Sequence, residues 1–70
     1  MRYNVTITIP CDEDATVELW GKFSKYGFNT HYYEGYATLS AHTKLLDEVE
    51  GAFEIATSYD GCSIRLSKGK

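Results

Sequence analysis

The segment YNVTITIP, residues 3–10, alternates apolar and polar side chains without a break. Tyr3, Val5, Ile7 and Ile9 fall on one side, and Asn4, Thr6 and Thr8 on the other. That is the pattern of a strand with one face in a core and the other in water. Pro10 ends it, because proline has no N–H with which to continue a ladder. Such a strand cannot fold alone, so the rest of the chain must supply pairing strands and a cover for the apolar face. Seventy residues leave room for one layered domain, spanning 1–70.

The next segment, DEDATVELWGKFSKYG, predicts a helix. Three acids open it and Lys22 and Lys25 close it, both complementing the helix dipole. Gly27 suits the left-handed position just past a helix end. Leu19, Trp20 and Phe23 are expected to share its apolar stripe. FNTHYYEGYATLSA then reads as a hairpin turning at Glu34-Gly35. Tyr33 faces Tyr36, Tyr32 faces Ala37, Thr30 faces Leu39 and Phe28 faces Ala41. Opposed residues share a face, so Phe28, Thr30, Tyr32, Ala37, Leu39 and Ala41 point to the core. TKLLDEVEGAFEIA repeats apolar residues with helical spacing, through Leu45/Leu46, Val49, Ala52/Phe53 and Ala56. CSIRLS alternates again, with Cys62, Ile64 and Leu66 on its apolar side.

The order is β-α-β-β-α-β. With right-handed crossovers it predicts an α+β domain: a four-stranded antiparallel sheet in the order 4-1-3-2 with both helices on one face. Over the whole chain this element order resembles the ferredoxin-like plait. A second reading has five strands. FEIATSYDGCSIRLS also alternates around Asp60-Gly61, a strong hairpin dipeptide, which would give a C-terminal hairpin of 53–59 with 62–68 and a short second helix. The longer helix is preferred because its 3.6-residue period persists through Ala56.

A domain this small buries only about 60% of the surface its unfolded chain exposes, so its margin of stability is thin. Two cysteines, Cys11 and Cys62, allow one disulfide and lack zinc-finger spacing. Pairing the last strand beside the first puts Cys62 opposite Cys11, Ile64 opposite Ile9 and Leu66 opposite Ile7. The N-terminal segment alternates where a signal peptide or membrane span would run apolar, so the expected compartment is the cytoplasm and the expected cysteine a reduced thiol. The cysteines then read either as a thiol or disulfide pair or as two small buried hydrophobes.

No serine or cysteine has a histidine-plus-acid partner, and no glycine-rich phosphate loop is present, so neither enzyme chemistry nor a cofactor is expected. Cys11, Cys62, His31 and His42 do not converge in the predicted sheet, and no metal site is expected. A net charge of −3 argues against direct nucleic-acid binding. The segment EGYATLSA resembles the third-strand motif of RNA-recognition domains at Gly35, Tyr36, Ala37 and Leu39. It departs at Glu34, Thr38 and Ala41, where an acid replaces the basic residue and a threonine replaces the second stacking aromatic.

Two surfaces remain as candidate sites. The open sheet face would carry Thr6, Thr8, His31, Tyr33, Tyr36, Thr38 and Arg65, and tyrosine and arginine are enriched at binding hot spots. The helical layer is acidic, with Asp47, Glu48, Glu50 and Glu54 on its second half, and could dock on a basic groove that otherwise holds nucleic acid. The expected function is a small acidic protein-binding module of inhibitor or adaptor type that occupies a surface of a larger protein. Phage-encoded antagonists of host or defence machinery are an analogy of class for this size and charge. The alternatives are a small-molecule or single-stranded nucleic-acid binder using the sheet face, and a homodimerising domain.

Overall fold

A computed structural model of the chain describes residues 1–69. Strand β1 (Tyr3–Pro10) leads to helix α1 (Glu13–Phe23) and a 3₁₀ turn over Ser24–Tyr26. Strands β2 (Asn29–Tyr33) and β3 (Tyr36–Lys44) follow as a hairpin. A second 3₁₀ turn (Leu46–Glu48), helix α2 (Glu50–Thr57) and strand β4 (Ser63–Lys68) complete the fold. The sheet is antiparallel throughout with order β2-β3-β1-β4, the predicted order read from the other edge.

β1 takes the centre because its alternation suits a strand paired on both sides. Val5, Ile7 and Ile9 are buried, and beside them on β3 lie Ala37, Leu39 and Ala41. Leu19 and Phe23 of α1, together with Val49, Ala52 and Ala56, close over the same face in one core. Both helices therefore lie on that side of the sheet. Phe28 joins them with its ring edge-on to Phe23, centroids 5.8 Å apart.

α1 starts at Asp12, whose carboxylate accepts a hydrogen bond from the Ala15 N–H at 2.9 Å. Gly27 takes φ +83°, the left-handed conformation expected of a glycine after the helical turn. The hairpin has the predicted register, Tyr33 opposite Tyr36, Tyr32 opposite Ala37 and Thr30 opposite Leu39. Its central residues, Glu34 and Gly35, both have positive φ (46° and 87°), which marks the type I′ turn that matches strand twist.

Four expectations need correction. Trp20 is not in the core: it is 58% exposed. A helix turns 100° per residue, so the stripe through Leu19 and Phe23 that meets the sheet leaves Trp20 on the flank. The second helix is shorter than residues 43–56. β3 continues to Lys44 through an irregularity opposite Asn4, and the chain then makes a 3₁₀ turn before α2, leaving Leu46 exposed. The five-strand alternative falls with it, because residues 53–57 are helical. Finally, β4 is slipped by two residues against β1, with Ile64 opposite Ile7 and Leu66 opposite Val5. A two-residue slip keeps every side chain on its face, so the alternation alone could not exclude it. Ile64 and Leu66 stand at the sheet edge beyond the cover of the eight-residue α2 and stay exposed. The slip also means that Cys11 and Cys62 are not cross-strand partners.

Candidate functional site

The face of the sheet away from the helices is uncovered, and its side chains form rows across the strands. One row places Tyr33, Tyr36 and Pro10 side by side on β2, β3 and β1. The next runs His31, Thr38, Thr8, Ser63 across all four strands. A third runs Asn29, Ser40, Thr6, Arg65. All seven residues predicted for this face are therefore brought together on it.

The rows are there because alternation in β1, β3 and β4 sends hydroxyls to one side wherever it sends aliphatics to the other. The result is a grid of short polar side chains with two phenols at the hairpin end. Tyr33 and Tyr36 are 64% and 50% exposed, among the largest apolar surfaces on the molecule. Arg65 is exposed at the β4 edge and has no ion-pair partner among the described residues. Such a surface can present flat aromatic contact area, hydroxyl donors and acceptors, and one exposed cation.

The acidic set is less uniform. Glu48 is engaged: its carboxylate accepts from the Leu45 N–H at 3.2 Å and pairs with Arg2 at 3.4 Å. Arg2 also donates to the Thr43 carbonyl at 2.8 Å, so Glu48 helps to fasten the end of β3 to the N-terminus. Asp47, Glu50 and Glu54 are exposed. On α1, Glu18 pairs with Lys22 at 2.9 Å, and the Lys22 ammonium donates to the Tyr59 hydroxyl at 2.8 Å. These two partners, Tyr59 first, raise the Lys22 pKa above its ordinary value.

Cys11 and Cys62 are both free and half-buried against the core. The Cys11 N–H donates to the Gly35 carbonyl at 2.9 Å, which draws the chain leaving β1 towards the hairpin turn. Among the described residues, no group of three or more His, Cys, Asp or Glu side chains could hold a metal ion, and no helix is long and apolar enough to cross a membrane.

One feature was missed in the sequence. A groove of about 500 Å³ runs between α1 and β2, lined by Glu13, Thr16, Val17, Trp20, Thr30 and Tyr32. Its signal was present as the spacing of residues 13, 16, 17 and 20, a second helical stripe, but the tryptophan invited assignment to the core. Neither a protein-family model, nor a curated protein, nor a solved structure matches the chain.

Proposed function

We propose that the protein is a binding module of inhibitor or adaptor type that acts in the cytoplasm by laying its open sheet face on a larger protein. The observation that carries this reading is the pair Tyr33 and Tyr36, adjacent and half-exposed or more, on a face that none of the described elements covers. Aromatic side chains lose little rotamer entropy when immobilised and bury a large area, which suits them as anchors. The surrounding threonines and Arg65 supply the polar rim. The arrangement of strands and helices is read as a ferredoxin-like plait, in which the uncovered face of the sheet is free to bind. Phage-type antagonists of host or defence machinery remain the class analogy for size and charge. The alternative acidic surface is weaker support, since Glu48 is already engaged within the chain.

The test is affinity capture on immobilised protein from extracts of the source cells. A specific partner should be retained by the wild type and by a variant with Asp47, Glu50 and Glu54 reversed to lysine. It should be lost from Tyr36→Ala. Retention by Tyr36→Ala and loss from the charge-reversed variant would refute the sheet-face reading.

A further inference from the structure

We infer that the free edge of β2 and the outer stripe of α1 together form a self-association surface that joins two copies of this chain about a twofold axis. This surface lies on the groove flank and is independent of the open sheet face.

β2 is a terminal strand of the sheet. The tight turn makes Tyr33 and Tyr36 the first hydrogen-bonded pair, and bonded pairs alternate outward from it. The backbone N–H and C=O groups of Thr30 and Tyr32 therefore point to the free edge. Nothing in NTHYY blunts that edge: it has no proline, no lysine and no bulge. Thr30 also has a buried Oγ1 without a hydrogen-bond partner among the described residues.

The helix beside this edge is unusually apolar on its outer side. Val17 is 74% exposed, and Trp20 projects from the same wall of the groove. Gly21 adds an independent sign. A glycine weakens a helix interior but lets another backbone or side chain approach closely. Yet a Cβ at Gly21 would meet nothing within 4 Å among the described residues. The space left by the missing side chain is open to a neighbour.

A second copy meets all three requirements. Antiparallel pairing of β2 with its counterpart continues the sheet and sets the two α1 helices side by side in opposite directions. The acids that open α1, Asp12, Glu13 and Asp14, then lie towards the end of the neighbouring helix, where Lys25 follows. Val17, Trp20 and Gly21 fall in the middle, apolar against apolar. A lone extended peptide would use the strand edge but would leave Gly21 and the opposed charges without a role.

Sedimentation equilibrium from about 1 to about 500 µM tests this, since association depends on protomer concentration. The mass should rise from 7.9 kDa towards twice that value. Emission from Trp20, the single tryptophan, should shift to the blue along the same curve. Gly21→Gln and Val17→Lys should each raise the dissociation constant at least about tenfold. Gly21→Gln should do so while leaving the monomer as stable as before or more so, which a role confined to folding would not produce. Tyr36→Ala should leave the mass unchanged. A monomer across the whole range overturns the inference, including one whose edge takes up an extended peptide. A dimer that survives both helix variants, or forms without a change in Trp20 emission, also overturns it.

Discussion

Ile64 stands directly opposite Ile7 in the sheet, yet Ile7 is fully buried and Ile64 is 37% exposed. The same residue type in the same row has two environments because β1 is central while β4 is an edge strand beyond the reach of α2. Ile7→Ala should destabilise the fold by about 2–5 kcal/mol, the transfer cost plus an unfilled cavity. Ile64→Ala should cost less, about 1–1.5 kcal/mol, since over a third of its surface is already in water. Urea unfolding of the two variants measures the difference. Equal losses would place β4 under the helical layer.

Leu39 lies in the core row between Thr30 and Ile7 and is completely buried. Leu39→Ala should also lose about 2–5 kcal/mol in the same assay. A loss below about 0.5 kcal/mol, the scale of an ordinary surface substitution, would contradict the hairpin register.

Thr43 has φ +54° at the irregularity where β3 carries an extra residue against β1. A β-branched side chain is strained there, and the conformation is held by the Asn4 side chain, which accepts from the Thr43 N–H at 3.2 Å. Thr43→Gly should relieve the strain and raise the stability by up to about 1 kcal/mol, because glycine enters this region without a Cβ clash. A fall in the urea midpoint would show that the conformation is unstrained or that the Thr43 hydroxyl contributes more than its local bond to the His42 carbonyl.

The contrast between the hairpin and β4 shows which parts of this fold are legible in a sequence. A two-residue turn locks the register of the strands it joins, so Tyr33–Tyr36 and everything behind it could be counted off from Glu34-Gly35. β4 reaches β1 from a helix, through a loop with no such lock, and a period of two is indifferent to a shift of two. The irregularity at Thr43 was hidden because no glycine marks it, and with it went the true length of α2. The open-face residues were legible because alternation assigns faces whatever the register. The groove was not, since a tryptophan beside Leu19 satisfies a helical stripe equally well from the core or from its flank.

The cysteines offer a separate check on the β4 register. Cys11 is tied to Gly35 on the hairpin side, and Cys62, just before β4, is two residues out of register with it. Under oxidised glutathione each thiol should react singly, giving glutathione adducts instead of an intrachain bridge. Intact mass under non-reducing conditions distinguishes the two. Rapid, complete loss of two hydrogens without an adduct would show the two sulfurs within bridging reach in spite of the two-residue offset.

The role of the open sheet face is tested most directly by calorimetric titration of the captured partner with wild-type protein, Tyr33→Ala, Tyr36→Ala and the variant with Asp47, Glu50 and Glu54 reversed. Tyr36→Ala should cost on the order of 2 kcal/mol, roughly thirtyfold in affinity and mainly through faster dissociation. Tyr33→Ala should cost less, being on the edge strand. Charge reversal should alter the salt dependence more than the affinity. If both tyrosine variants bind within about twofold of wild type while charge reversal abolishes binding, the partner is held by the acidic helical layer and the sheet-face account is wrong.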